Sequence, residues 1–235
     1  MLGVLARKRR PLLLALTLAC GACGLTAVGT SVTNERTDST DASTADADSP
    51  DSRTDAPVVP KTDGVPPLVV RLDINGPTHV GVEYEGTWTA APVPDGGCGP
   101  SAYTAEAPLS NTKDAPLFAG EAYGSPLVCA VGEGLAPGMY RVVLYFAEVY
   151  WGPGCPGGGG VGSRVFDVLL EGKKVLSSFD VFAVSGGCMA STTSDAGTPI
   201  VRSFDIAIED GRLDIEMPAT ADNGKLSALE LFGPL

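Results

Sequence analysis

The chain has 235 residues, with 16 Lys and Arg against 28 Asp and Glu, and its formal net charge is -12. This acidity excludes nucleic acid as the expected partner, because contacts with phosphate need clustered Lys and Arg. The 30 glycines and 19 prolines favour many turns and short strands over long helices.

The first 23 residues have the pattern of an export signal. A basic stretch at 7–10 precedes an apolar run at 12–19, which is far shorter than the ~20 residues of a membrane-spanning helix. Cys20 follows a small residue, as in the signals of bacterial lipoproteins, where this cysteine is lipidated. We predict residues 1–23 as the signal and Cys20 as the lipidation site, with Cys23 and secretion without a lipid as the alternatives.

A linker follows at residues 24–67. It is dominated by Asp, Ser, Thr and Ala, so it has almost nothing to bury and cannot recover the entropy that ordering would cost. We expect an extended tether between the lipid and a domain at residues 68–235. The protein would then be exported and held at the cell envelope, in the outer membrane or at the cell surface, with the membrane as a partner through its anchor.

Four cysteines remain beyond the signal. An even number in an exported protein indicates two disulfides. Zinc is the competing interpretation, but these cysteines contain no CxxC pair and the chain has a single histidine, so we predict no metal and no cofactor. Three connectivities are possible, and we favour Cys98–Cys129 with Cys155–Cys188.

From Leu68 onward the chain alternates apolar stretches with turn signals. Short runs rich in β-branched and aromatic residues predict strands at 68–74, 126–131, 140–146, 164–170, 174–182, 200–208, 212–217 and 225–232. Within 140–146, residues of even number form one face and residues of odd number the other.

Two turns in this region predict hairpins. Glu171-Gly172 separates the strands 164–170 and 174–182, and Asp210-Gly211 separates 200–208 from 212–217. The sequence has no sustained helical period. About eight short strands therefore predict an all-β fold, a two-sheet antiparallel β-sandwich of jelly-roll, galactose-binding-like type.

Several phrases, in this order along the chain, resemble the malectin domain family of carbohydrate-binding modules. They are RLDINGP, LFAGEAYG, PGMYRVVLYFAEVYW, RVFDVLLEGKKVL, FDIAIEDGRLDIEM and DNGKLSALEL, and together they extend over nearly all of residues 68–234. The most specific is FAE followed by two aromatic residues and then by RVFDV. The resemblance implies a two-sheet β-sandwich that binds glucose-containing oligosaccharides at loops on one end, without catalysis.

The resemblance also implies which residues contact the sugar. The family uses four aromatic residues and an aspartate, which correspond here to Tyr103, Tyr123, Tyr150, Trp151 and Asp222. This sequence departs from the family at Glu121-Ala122, where the family has Glu-Arg. It also has Phe118 in place of a tyrosine, and it adds Cys155 and four glycines after Trp151.

The chemistry of these side chains suits a sugar. An aromatic ring covers the apolar face of a pyranose, and a carboxylate accepts hydrogen bonds from its hydroxyl groups. We expect all five residues at loops or strand ends. Glu148, in the FAE phrase, is predicted to hold the end of its strand through hydrogen bonds rather than to act as a catalytic acid.

Two other function classes compete with a carbohydrate-binding module. A glycoside hydrolase needs two carboxylates across the scissile bond, and no spacing here singles out such a pair. With one histidine and no GxSxG motif, a serine hydrolase has no support either. The third class is a surface scaffold or adhesion protein that keeps the fold without a sugar site. We predict a non-catalytic protein whose partner is carbohydrate.

Overall fold

The computed structural model describes residues 66–105, 109, 111–153, 155–187 and 197–235. The predicted signal with Cys20, nearly all of the linker and Cys188 lie outside these residues, so the predictions on them stay predictions. The described chain forms strands, a short helix α1 (Val181–Ser185) and a 3-10 helix (Ala115–Phe118). The strands are β1 (Leu68–Ile74), β2 (His79–Gly81), β3 (Gly86–Ala91), β4 (Cys98–Thr104), β5 (Gly120–Val131), β6 (Gly138–Phe146), β7 (Val165–Leu170), β8 (Lys173–Asp180), β9 (Ile200–Ile208), β10 (Leu213–Met217), β11 (Ala219–Ala221), β12 (Gly224–Leu226) and β13 (Ala228–Phe232).

The strands form two sheets that pack as a sandwich. The six-stranded sheet has the order β2-β3-β1-β13-β6-β9, and its pairs are antiparallel except β1 with β3. The seven-stranded sheet has the order β11-β7-β10-β5-β12, with β4 beside β5 and β8 beside β7. The predicted all-β sandwich is confirmed.

The main core lies between the two sheets. Phe146 of the six-stranded sheet contacts Phe166 and Phe179 of the seven-stranded sheet, with ring centroids 6.2 and 5.3 Å apart. Tyr140, Val142, Leu144 and Phe146 all belong to this core, which confirms the predicted alternation along β6. Fully buried aromatic side chains of this size dominate the energy of such a core.

A second cluster covers the outer face of the six-stranded sheet. Trp88 and Tyr145 are buried there, with ring centroids 5.2 Å apart, beside Phe118. The Tyr145 hydroxyl donates to Glu230 Oε2 at 2.6 Å. The last three residues of β6 are therefore buried on both faces, which fixes the point where the following loop leaves the sheet.

One predicted hairpin and one predicted strand are wrong. β9 pairs with β6 in one sheet, whereas β10 pairs with β5 and β7 in the other, so Asp210-Gly211 crosses between the sheets instead of closing a hairpin. The predicted strand 225–232 is two strands, β12 and β13, one in each sheet. The chain changes sheet at Ser227, whose N–H donates to Tyr145 O at 3.0 Å.

Other predicted elements change in length. The stretch 126–131 is the second half of the twelve-residue strand β5. The predicted strand 174–182 ends at Asp180, because Asp180 Oδ1 accepts the N–H of Ala183 and begins helix α1. The hairpin of β7 with β8 is confirmed. Its turn residues Glu171 and Gly172 both have positive φ, as tight hairpin turns require.

Candidate functional site

The candidate site is a cavity beside three neighbouring strands of the seven-stranded sheet. Tyr103 on β4 is paired with Glu121 on β5, and Tyr123 on β5 is paired with Lys225 on β12. Residues two positions apart on a strand face the same side. Glu121 and Tyr123 therefore share the face that borders the cavity.

Loops complete the cavity. The segment between β6 and β7 contributes Tyr150 and Arg164, and the turn before β12 contributes Asp222 and Asn223. The cavity has a volume of about 260 Å³ and is lined by Tyr103, Glu121, Tyr123, Tyr150, Arg164, Asp222 and Asn223. Four of the five predicted sugar contacts, Tyr103, Tyr123, Tyr150 and Asp222, thus lie in one cavity although they are up to 119 positions apart (222 minus 103).

The expected placement of the tyrosines at loops or strand ends is only partly correct. Tyr103 is the penultimate residue of β4, but Tyr123 lies within β5. The strand β5 begins at Gly120, before the start of the predicted strand 126–131, and so includes Tyr123. Tyr123 is therefore held by pairing with β4 on one side and β12 on the other.

The aromatic side chains of the site touch each other in series. Tyr103 and Tyr150 meet edge to face, with ring centroids 5.5 Å apart and an interplanar angle of 85°. Tyr150 and Trp151 meet in the same way, at 5.2 Å and 89°. Edge-to-face contacts between rings are favourable, so each ring restrains its neighbour.

Trp151, the fifth predicted contact, adjoins the cavity through Asp222. The indole Nε1 of Trp151 donates to Asp222 Oδ2 at 2.9 Å. The ring therefore orients a carboxylate that lines the cavity.

The glycine run after Trp151 has a packing role. A Cβ atom at Gly157 would lie 2.6 Å from Trp151 Cε3 and 2.6 Å from Tyr150 Cε1. The Gly157 N–H also donates to Tyr150 O at 3.0 Å. Only glycine lets the backbone approach the two rings this closely, so the run forms a platform against which Tyr150 and Trp151 lie.

A buried ion pair anchors this loop. Arg164 Nε donates to Glu148 Oε2 at 3.0 Å, and both side chains are almost completely buried. The other carboxylate oxygen, Glu148 Oε1, accepts the N–H groups of Tyr150 and Trp151, each at 3.0 Å. This confirms the predicted structural role of Glu148.

Arg164 also reaches the opposite side of the cavity. Its Nη2 lies 3.1 Å from Asp222 Oδ2, the oxygen that accepts from Trp151. Asp222 has a φ of 55°, a left-handed conformation that aspartate tolerates better than most residues. Arg164 thus fixes both the aromatic loop and the turn that carries Asp222.

A second buried pair lies under the tyrosines. Lys225 Nζ contacts Glu121 Oε2 and donates to Ala147 O, and Lys225 and Glu121 are both buried. Burial raises the pKa of Glu121, while the positive charges of Lys225 and Arg164 oppose that rise. Glu121 therefore presents to the cavity a carboxyl group that is already held by a cation.

Sequence reasoning did not identify Arg164, Lys225 or Glu121 as parts of the site. Arg164 and Lys225 read as strand residues, since each begins an apolar stretch. Glu121 stood out only as half of a dipeptide that differs from the family. The only sequence feature that points to Arg164 and Lys225 is a charged residue at the start of an apolar stretch, and this feature does not show which residue the charge contacts.

One disulfide is confirmed. Cys98 and Cys129 are bonded and are register partners on β4 and β5, so the bond joins the strands that carry Tyr103 and Tyr123. Cys155 is also in a disulfide. Its predicted pairing with Cys188 stays a prediction, because Cys188 lies outside the described residues.

Two further observations on the described ranges concern membrane-spanning helices and metal sites. No helix in them is long and apolar enough to cross a membrane. In the same ranges, no three side chains of His, Cys, Asp or Glu converge as a metal site.

The fold and the cavity define a class of β-sandwich domain with a small aromatic and acidic site. The family model described as Malectin domain matches residues 68–229. The chain therefore belongs to the malectin domain family, which suggests carbohydrate binding, and malectin-like domains are generally non-catalytic. A search of curated proteins finds no match.

Solved structures with a similar fold come from bacteria and plants. A β-glucuronidase of Bacteroides uniformis has a TM-score of 0.52 and 16% identity, over 71% of this chain and 18% of that one. The ANXUR2 extracellular domain of Arabidopsis thaliana has a TM-score of 0.53 and 15% identity, over 70% of this chain and 48% of that one. The ANXUR1 extracellular domain has the same TM-score and 12% identity, with the same coverage. The chain thus spans less than half the length of each, and the likeness shows the fold alone.

Proposed function

We propose that this protein binds glucose-containing oligosaccharides or polysaccharides, without catalysis, in the cavity between β4, β5 and the loop after β6. The observation that carries the proposal is the convergence of Tyr103, Tyr123, Tyr150 and Asp222 on one cavity of about 260 Å³. Three aromatic rings and a carboxylate offer both surfaces that a pyranose needs, namely apolar contact and hydrogen-bond acceptors.

The site is also held in place before a ligand arrives. Arg164 fixes Asp222 and Glu148, and Glu148 fixes the backbone of Tyr150 and Trp151. Restraining a binding site in advance lowers the ordering cost of binding. For a small, partly solvated sugar site we expect a binding free energy of roughly 4–7 kcal/mol, which corresponds to millimolar to micromolar dissociation constants.

Titration calorimetry with α- and β-linked glucose disaccharides and glucans tests this proposal. We expect heat of binding for at least one of them and no release of reducing sugar when the same mixtures are incubated. If no glycan of the panel binds, the surface scaffold or adhesion class replaces carbohydrate binding. Turnover of a bound glycan would instead indicate a glycoside hydrolase.

We further propose that the domain is exported and tethered to a membrane of the cell envelope through a lipid on Cys20. The support is the signal pattern of residues 1–23 and the acidic linker that follows. Labelled fatty acid should be incorporated into the wild-type protein in a bacterial host and should be lost in Cys20→Ala. Labelling that persists in Cys20→Ala and disappears in Cys23→Ala would move the anchor to Cys23.

A further inference from the structure

The charges around the cavity leave an excess of one carboxylate. Glu121, Glu148 and Asp222 face Arg164 and Lys225, which is three acids against two bases. Lys225 contacts Glu121 directly, so in this pair one base offsets one acid. The excess is therefore located where the single guanidinium of Arg164 meets both Glu148 and Asp222.

Both cations are already engaged inside the protein. Arg164 is 3% exposed and is bonded to Glu148 and Asp222. Lys225 has no exposed surface, and its ammonium group is bonded to Glu121 and to Ala147 O. Among the described residues that line the cavity, Arg164 supplies the positive charge. A negatively charged ligand would therefore have to compete with internal carboxylates for it.

We propose that the cavity accepts neutral sugars and rejects sugars that carry a carboxylate, such as uronic acids, and that Glu121 and Asp222 set this selectivity. The inference rests on the proposed function of carbohydrate binding. A neutral hydroxyl group can donate a hydrogen bond to either carboxylate. A sugar carboxylate has no proton to donate at pH 7. It would meet acceptor oxygens at Glu121 and Asp222 and the excess negative charge beside Arg164, in a partly buried site where like charges repel strongly.

The test uses pairs of sugars that differ only in one oxidised carbon. The intact protein is titrated at pH 7 with maltose and cellobiose, and then with the two disaccharides in which glucuronic acid replaces the non-reducing glucose. We expect the dissociation constant of each uronic form to be at least about tenfold higher than that of its neutral partner. Added salt should lower the ratio of the uronic to the neutral dissociation constant, because it screens the repulsion of the sugar carboxylate while the affinity for the neutral sugar stays constant.

Two outcomes separate this inference from the proposed function. Uronic forms that bind as tightly as the neutral forms overturn the inference and leave carbohydrate binding in place. A protein that binds no glycan in the wider panel of glucose disaccharides and glucans overturns carbohydrate binding itself.

Variants locate the source of the selectivity. Glu121→Gln removes a carboxylate and leaves the Lys225 cation, so the ratio of uronic to neutral dissociation constants should fall severalfold. Glu133→Gln is the matched control, because Glu133 is exposed beyond the other end of β5 and makes the same charge change. Asp222→Asn keeps an oxygen acceptor for Trp151 and should also lower the ratio of uronic to neutral dissociation constants. This second variant provides the test if Glu121→Gln does not fold. A ratio that neither variant changes overturns the assignment.

Discussion

Gly157 is the residue whose size matters most directly for the aromatic side chains. A Cβ atom there would press on the rings of both Tyr150 and Trp151, at 2.6 Å from each. We expect Gly157→Ala to displace the two rings, to lower the free energy of unfolding by about 1–3 kcal/mol and to weaken binding of a glucose disaccharide. Chemical denaturation and calorimetry measure the two effects.

Gly160→Ala is the matched control for this change. It lies in the same run, but its Cβ atom would be 3.9 Å from the nearest ring atoms, those of Phe182, which is ordinary contact. We therefore expect Gly160→Ala to resemble the wild type. Equal effects of the two substitutions would show that flexibility of the run, and not support of the rings, is what the glycines provide.

Asp73 is a buried acid outside the cavity whose ionisation is linked to stability. It lies in β1 with no exposed surface, and His79 Nδ1 is 3.2 Å from its Oδ2. Burial raises the pKa of Asp73 from 3.8 to about 7. Between about pH 4 and 7 the folded state therefore binds more protons than the unfolded state. The stabilisation of the folded state that comes from protonated Asp73 is complete below about pH 4 and is lost as the pH rises to 7.

The variant Asp73→Asn removes this titration. We expect wild-type stability to fall between pH 4 and 7 by up to about 4 kcal/mol relative to the variant, as measured by urea denaturation at each pH. Asp95→Asn makes the same change at an exposed position and should follow the wild-type curve. If Asp73→Asn also follows it, the buried carboxyl group is not the source of the pH dependence.

At the residue level, the sequence allowed prediction of the side chains that a sugar site needs, but not of those that support it. Tyr150 and Asp222 were identified because the phrases that contain them resemble a family with known contacts. Arg164 and Lys225 could not be identified, because their role depends on Glu148 and Glu121 meeting them across long sequence separations. Nothing local to either base specifies such a partner.

The loop between β6 and β7 is anchored as one element by the pair of Arg164 and Glu148. Breaking a buried pair from one side leaves the other charge unpaired, so Arg164→Met should lower the free energy of unfolding by about 3–5 kcal/mol. Adding Glu148→Gln should recover part of this loss, since the amide oxygen can still accept the N–H groups of Tyr150 and Trp151. Urea denaturation of the wild type, both single variants and the double variant gives the coupling energy.

Losses that simply add in the double variant would contradict this account of the loop. The control is Arg141→Met with Asp205→Asn, a pair on neighbouring strands whose side chains are 44% and 45% exposed. An exposed pair contributes little, so its cycle should give a coupling energy close to zero.

The disulfide acts on β4 and β5, the strands that carry Tyr103 and Tyr123. Cys98 and Cys129 are 31 positions apart, so replacing both with alanine should lower the free energy of unfolding by about 2–4 kcal/mol. Intact mass before and after reduction verifies the bond, and denaturation measures its effect. Equal stability of the double variant and the wild type would show that strand pairing alone holds β4 in place.

At the level of elements, local patterns predicted strands better than they predicted partners. The bounds of β1 and β9 match the sequence prediction, because each is a short run rich in β-branched residues that is ended by turn residues. Asp210-Gly211 carries a strong local hairpin signal, yet the strands on either side join different sheets. Which strand lies beside which is decided by contacts between distant segments, which a local turn signal does not contain.

For the whole molecule, the two-sheet architecture explains why the cavity is ready to bind. β6 ends buried between two hydrophobic clusters, so the loop with Tyr150 leaves from a fixed point. Strand β12 pairs with β5 before the chain crosses to the other sheet at Ser227, and the turn that precedes β12 lines the cavity with Asp222 and Asn223. The site is thus assembled by the fold and not by any single segment.

The most direct test of carbohydrate binding in this cavity is calorimetric titration of a glucose disaccharide into the wild type, Tyr150→Ala and Met139→Ala. Met139 is an exposed residue of β6 outside the cavity lining and serves as the control. We expect the wild type and Met139→Ala to bind with equal affinity and Tyr150→Ala to bind more weakly by about 1–3 kcal/mol. Affinity that is unchanged in Tyr150→Ala would contradict binding in this cavity, and a wild type that binds neither glucose disaccharides nor glucans would contradict carbohydrate binding itself.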